Sequence, residues 1–519
     1  MLRKAVTQYG TIEGVPCGDP RITAFKGVPY AKPPVGELRW RAPQPPEPWQ
    51  GVLRADRFAP MSVHNQPGLN MTDFYTKELN PTAYEYTMSE DCLYLNIYTP
   101  AKTAGDKLPV LYYIHGGGFS AGYSYEVEFD GERVARNDVI FVSVGYRLNV
   151  MGFFAHEELN DEPGQGNFGL LDQLAGMRWV RDNIAAFGGD PERITICGQS
   201  AGGMAVTCHL HSPVSKGAFD GAIIMSSGGL RSPRGRVGMI GWHTLEQAQA
   251  VGAQLLQALG VQSVAQAREL PADVVVQTGF GRLPGAMMPW TPTVDGWFLK
   301  EDTRQAVMNG RIHDVPVMIG TCLGESLPNF AAPHLSFSGN LNTLNGFVDS
   351  VRANYGEYAD RVLALCDTSS EEAYRRFIAD VPSFGAFYNG TISFARRMAQ
   401  VGHPVYTYLF DHDIPGGDHA GSFHGSDMWF VFDSLGHSWR PFEGKHYDLA
   451  RQVSSYWANF VKTGDPNGAD RIGKPLPVWE KYTQEDDFVL CFQECPRRFE
   501  DPHREINDFM QRYCLEQLE

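Results

Sequence analysis

The five residues Gly198-Gln199-Ser200-Ala201-Gly202 come directly after an apolar, β-branched run, Arg193-Ile194-Thr195-Ile196-Cys197. A strand that runs into G-x-S-x-G and leaves as a helix must turn sharply at the serine. Side chains at the flanking glycines would collide with neighbouring backbone, and the serine hydroxyl is raised above the sheet edge. The pentapeptide alone carries little weight, because a motif match is a hypothesis until its context supports it. A second match, Gly118-Phe119-Ser120-Ala121-Gly122, lies upstream. Only the downstream match follows directly on a strand-like run, so Ser200 is the candidate nucleophile.

The rest of the chain supplies a sheet for such an elbow. Short continuous apolar runs, the signature of strands buried on both faces, occur at 108–114, 139–144, 194–197, 222–225, 315–319, 405–410 and 488–492. Helix-period segments lie between them. Apolar residues at 170, 171, 174, 177, 180 and 184 predict one helix, which Gly188-Gly189 should end. This alternation predicts an α/β fold, a large, mostly parallel, twisted sheet flanked by helices, with catalytic groups on loops at strand C-termini. The first hundred residues are rich in proline and predict an antiparallel, loop-rich start. Strand signals fade from about 330 to 400, where a helical side region is expected to wall a cleft. At 519 residues, the chain is read as one large domain spanning 1–519.

A serine hydroxyl needs a base to take its proton and donors to stabilise the oxyanion of a tetrahedral intermediate. His115-Gly116-Gly117-Gly118 follows the run that ends at Ile114 and meets the second need. Glycines there let backbone N–H groups approach a substrate oxygen unobstructed, so the expected donors are Gly117, Gly118 and Ala201. Ser120 falls just past this loop.

With these motifs the chain resembles the type-B carboxylesterases, the cholinesterase-like branch of the α/β-hydrolases. The matching stretches are Phe25-Lys-Gly-Val-Pro-Tyr-Ala-Lys-Pro-Pro-Val-Gly-Glu-Leu-Arg-Trp40, Ser89-Glu-Asp-Cys-Leu-Tyr-Leu-Asn96, Gly166-Asn-Phe-Gly-Leu-Leu-Asp-Gln173 and Phe187-Gly-Gly-Asp-Pro191. The resemblance implies the α/β-hydrolase fold and an acyl-enzyme on Ser200. It implies an acid at Glu325 and a histidine at His424, in the order Ser, acid, His. It also implies a supporting serine at Ser227, a structural ion pair between Arg39 and Glu90, and an acyl pocket shaped by Met288 and Trp290. Phe119, Tyr123, Phe74, Tyr75, Tyr84 and Tyr86 are candidates for the rest of the substrate wall. The chain also departs from the family. Gln199 stands where many members have Glu, Gly324-Glu325-Ser326 replaces Asp-Glu-Gly around the acid, and Cys92 lacks the upstream partner that secreted relatives have. The segment 62–88 has no counterpart of the choline-site tryptophan, which argues against a cholinesterase.

The implied activity is hydrolysis of carboxylic esters, with short acyl and aryl esters expected and bulky aromatic or polyester-like ones included. An amidase, lactonase or carbamate hydrolase would use the same triad, and a non-catalytic binding homologue would keep the fold without the chemistry. A net charge of −16 argues against nucleic acid or an anionic membrane as partner. No cofactor and no metal are expected. Cys491 and Cys495 lack a second ligand pair, Gly164-Gln-Gly-Asn-Phe-Gly169 has no strand ahead of it, and the acidic, His-containing loop 411–424 reads as solvated. Met1-Leu-Arg-Lys has no apolar run behind it, so a cytoplasmic location is expected, secretion requiring a signal already removed. Asn70 and Asn389 are glycosylation sequons by spelling only.

Overall fold

The computed structural model describes residues 1–64, 74–79, 87–227, 242–280, 289–325, 343–380 and 387–501, with 504, 505, 508, 509 and 512 beyond them. Eleven strands form its main sheet: β1 (Val15–Pro16), β2 (Thr23–Pro29), β3 (Tyr94–Thr99), β4 (Leu108–Ile114), β5 (Ile140–Val144), β6 (Gly189–Gln199), β7 (Gly221–Met225), β8 (Val317–Cys322), β9 (Tyr406–Phe410), β10 (Leu490–Phe492) and β11 (Pro496–Arg498). Their spatial order is β11-β10-β9-β8-β7-β6-β4-β5-β3-β2-β1. Neighbours from β10 across to β5 pair in parallel, and antiparallel strands close both ends.

The continuous apolar runs divide between two faces with the period of two that a strand imposes. Val110, Tyr112, Ile114, Ile194, Ile196, Ala222 and Ile224 enter one core, while Leu111, Tyr113, Cys197, Ile223 and Met225 enter the other. Among the helices, α1 (Phe74–Leu79), α2 (Phe168–Asn183), α3 (Ala201–His211) and α4 (Gly444–Thr463) matter most below. On the first face α2 and α3 bury Phe168, Leu170, Leu174, Met204 and Val206. On the second, α4 buries Leu449, Val453, Trp457 and Phe460. A 3-10 turn extends α2 to Phe187, and Gly188, at φ 82°, ends it in the left-handed region where glycine is favoured.

The chain passes from β4 to β5 on one side and returns to β6 on the other side of β4. Loops leaving the C-terminal ends of β4 and β6 therefore diverge around a crevice, the place where open parallel sheets bind ligands. The expected helical side region splits in two. Helices Leu344–Tyr355, Ala359–Ala364 and Glu371–Asp380 share a small core of their own around Phe347, Val362 and Tyr374, whereas Tyr388–Gln400 sends Ile392, Phe394 and Met398 into the main core. Asn389 is buried at the start of that last helix, so its sequon is closed to modification; Asn70 lies outside the described residues.

Arg39 and Glu90 form a two-pronged ion pair, Nε–Oε1 2.6 Å and Nη2–Oε2 2.7 Å. The same guanidinium donates to the carbonyls of Ala267 and Leu270, tying the N-terminal segment to a distant helix. Removing one partner of such a pair strands the other charge, so Arg39→Ala should cost about 3–5 kcal/mol in a denaturant titration.

Candidate active site

Ser200 sits between β6 and α3 with φ 57° and ψ −123°, a conformation that costs a non-glycine residue about 1–3 kcal/mol. The turn closes because three positions carry no side chain. A Cβ on Gly198 would lie 2.3 Å from Gly202 C, one on Gly202 2.0 Å from Ile114 O, and one on Gly203 2.9 Å from Met225 O. The Ser200 N–H donates to Met225 O at 2.9 Å, anchoring the elbow to β7. Ser120 sits instead in the turn after β4, its hydroxyl on Gly118 O at 3.3 Å, with no strand-to-helix context.

The acid and the imidazole arrive on loops from adjacent parallel strands. Glu325 follows β8 by three residues, and His424 is on the loop after β9. Gly324 pairs with Phe423, and its N–H reaches both the backbone oxygen (3.0 Å) and Oγ (3.1 Å) of Ser422. His424 Nδ1 hydrogen-bonds Glu325 Oε2. The other carboxylate oxygen accepts from Thr321 Oγ1 at 2.6 Å and from Cys322 N–H at 3.0 Å. Burial raises the Glu325 pKa, but the His424 charge and hydrogen bond, with the Ser226 and Thr321 hydroxyls, hold it below the ordinary carboxylate range. Burial pulls His424 down, yet Glu325 and, less strongly, Asp427 reverse this and leave it above its ordinary value.

His424 Nε2 faces the Gln199 side-chain amide at 3.3 Å, and among the described residues the Ser200 hydroxyl makes no hydrogen bond. Elbow, imidazole and carboxylate thus come together at one end of the sheet, with the Gln199 amide on the nitrogen that would take the serine's proton.

Gly117 (φ 98°) and Gly118 (φ 63°) turn the chain after β4. A Cβ on Gly117 would lie 2.1 Å from Ala121 O, so glycine is obligatory there. Among the described residues the N–H groups of Gly117 and Gly118 have no acceptor, and Ala201, as the first residue of α3, contributes an N-terminal helix donor. His115 props this turn from behind. Its Nδ1 meets Gly116 O at 2.9 Å, its ring stacks on Tyr146, and burial lowers its pKa to about 4, so it is neutral. The sequence reading missed this prop, although His115 opens the glycine run.

Four expectations need correction. Of the two serines after β7, Ser226 rather than Ser227 is the one that helps to lower the Glu325 pKa, while among the described residues neither hydroxyl makes a hydrogen bond and Ser227 packs its Cβ toward Gly203 of α3. Trp290 is a core residue, 3% exposed, with its indole N–H on Gly279 O at 3.0 Å. Phe119 is fully buried against Phe153 and Trp242 rather than presented to a substrate. Tyr123 is nearly buried, its ring against Tyr125 and its N–H on Glu126 Oε1. Met288, Tyr84 and Tyr86 lie outside the described residues.

Two aromatic contacts to His424 fall on α1 and on Phe387. The Tyr75 hydroxyl is 3.4 Å from His424 O, and the Phe387 ring centroid is 5.3 Å from the imidazole. An ion pair holds α1 there, Glu78 Oε1–Arg440 Nη2 at 2.7 Å, with Asp418 on the same guanidinium at 3.1 Å. Phe387 and Arg440 carried no sequence signal, since neither belongs to a motif.

The Carboxylesterase family profile matches residues 3–508. The chain belongs to the carboxylesterase family. It is 33% identical over 474 residues to the para-nitrobenzyl esterase of Bacillus subtilis, covering 89% of this chain and 90% of that one. It is 32% identical over 474 residues to the fumonisin B1 esterase of Sphingopyxis macrogoltabida, covering 89% and 82%. Among solved structures, a Geobacillus stearothermophilus carboxylesterase superposes with a TM-score of 0.78 at 31% identity, covering 97% of this chain and 99% of that one. The protein is therefore a carboxylic ester hydrolase with the α/β-hydrolase fold, and no described helix is long and apolar enough to cross a membrane.

The raised His424 pKa has a definite sign in kinetics. With His424 as the base, which must be neutral to act, the acid limb of kcat/KM should lie above the ordinary imidazole value of about 6.5. Glu325→Gln removes the charge that raises it. The limb should then move to lower pH while kcat falls by about 10⁴-fold, the scale set by losing the orienting carboxylate of a triad.

Proposed function

We propose that Ser200 attacks the ester carbonyl, His424 moves the proton, Glu325 orients and charges the imidazole, and the N–H groups of Gly117, Gly118 and Ala201 bind the oxyanion. His424 takes the Ser200 proton as the Oγ–carbonyl bond forms and returns it to the departing alcohol, leaving the acyl group on Ser200. A water then gives its proton to His424 as it attacks the acyl carbon, and His424 returns that proton to Ser200 Oγ as the acyl–oxygen bond breaks, releasing the acid and the free serine. The observation that carries this reading is the His424 Nδ1–Glu325 bond on two loops stitched beside the elbow. Residues 1–519 are read as one catalytic unit. The free thiols of the eight described cysteines support a reducing, cytoplasmic setting.

The substrates we propose are short acyl and aryl esters, bulky aromatic alcohols included. The Phe387 ring beside the His424 imidazole, where the leaving alcohol departs, supports a flat aromatic alcohol. The name of the Bacillus relative points to the same class.

Ser200→Ala should lower kcat by about 10⁶-fold, as loss of a triad nucleophile does. A fluorophosphonate probe should label the parent and not the variant; an unlabelled parent would mean a binding protein on this fold. With p-nitrophenyl esters, kcat/KM should be highest for acetyl to butyryl chains. A maximum at chains longer than decanoyl would replace this substrate reading with a lipase.

A further inference from the structure

Gln199 ends β6 with its side chain in a slot between two glycines. A Cβ on Gly116 would lie 3.1 Å from Gln199 Oε1, and one on Gly425 would lie 3.5 Å from Gln199 Nε2. Gly116 belongs to the turn after β4 and Gly425 follows His424, so the amide spans the space between the oxyanion loop and the imidazole loop. Gln199 is 6% exposed, and among the described residues its one side-chain hydrogen bond is to His424 Nε2.

The chemistry of that contact depends on protonation. His424 Nδ1 faces a carboxylate and therefore carries the ring proton, which leaves a lone pair on Nε2. A lone pair needs a donor, and the Gln199 NH₂ supplies one. Once Nε2 is protonated, N–H would face N–H and the attraction is lost. The amide therefore favours the neutral, basic imidazole. Glu325 from the loop after β8 and Asp427 from the same loop as His424 act in the opposite direction. Asp427 is itself held by Tyr408 of β9 at 2.8 Å and neighbours the thiol of Cys322 on β8.

We propose that Gln199 is a positioning residue for His424: its amide holds the base neutral and in place in the free enzyme, and yields Nε2 to the Ser200 hydroxyl as the ester binds. This rests on His424 being the general base, as proposed above. Gln199 fixes where the imidazole sits before substrate arrives and how acidic a solution the free enzyme tolerates. It takes no part in bond making.

The test is the pH dependence of p-nitrophenyl acetate hydrolysis by the whole protein and its Gln199→Met and Gln199→Glu variants, with fluorophosphonate labelling alongside. The profile of kcat/KM reports the free enzyme and that of kcat the complex. Gln199→Met removes the donor but keeps the length. Its kcat/KM limb should move to higher pH while its kcat limb stays, because the amide has already left Nε2 in the complex. Gln199→Glu puts a carboxylate against Nε2–H and should move the kcat/KM limb up by about one unit or more. Variants that lose only plateau activity and keep the parent's limb would show that the side chain merely fills the slot, overturning the proposal. A parent whose Ser200 takes no probe would overturn it together with the triad reading, whereas labelled variants with unmoved limbs would sink this inference alone.

Discussion

The parallel pairing of β4, β6, β7, β8 and β9 governs everything at the site. Register fixes the heights at which these strands end: Ile114 lies opposite Gly198, Met225 opposite Gln199 and Gly320, and Cys322 opposite Phe410. Five chain segments, several far apart in sequence, thereby leave the sheet on the same side. Neither the glycine turn nor the imidazole loop could find the nucleophile without that ladder. Both faces of these strands are buried, so a slip of one residue would turn every apolar side chain toward the wrong core.

The strain at Ser200 is tolerated because its surroundings over-determine it. Its N–H is tied to β7, its carbonyl accepts from Met204 N–H at 2.9 Å, and α3 starts at the next residue. The same helix start gives the site a backbone donor that costs no reorganisation when negative charge develops. Electrostatics at the other end are balanced rather than extreme. Glu325 keeps its charge despite burial because hydroxyls and a backbone N–H complete its coordination, and that charge sets the imidazole.

Much of this was legible in the chain itself. The seven apolar runs mark seven strands of the main sheet because a strand covered on both faces has no polar alternation to blur it. Ser200, Glu325 and His424 are brought to one end of the sheet because each stands on a loop following such a run. The pocket was less legible. Trp290 and Phe119 look like wall residues because aromatics line clefts, but aromatics also fill cores, and spacing does not separate the two. Ser226 and Ser227 are adjacent and chemically identical, so only the fold, with its backbone turn at Ser226, φ 49°, decides which of them lies toward the carboxylate. The short antiparallel strands near the N-terminus were visible only as a proline-rich beginning, since two to seven residues with mixed exposure give little periodicity to detect.

The double contact from Gly324 to Ser422 makes the carboxylate loop and the imidazole loop one mechanical body. When that body shifts, the proton on Nδ1 keeps its partner, and what lengthens or shortens is the gap across to the elbow.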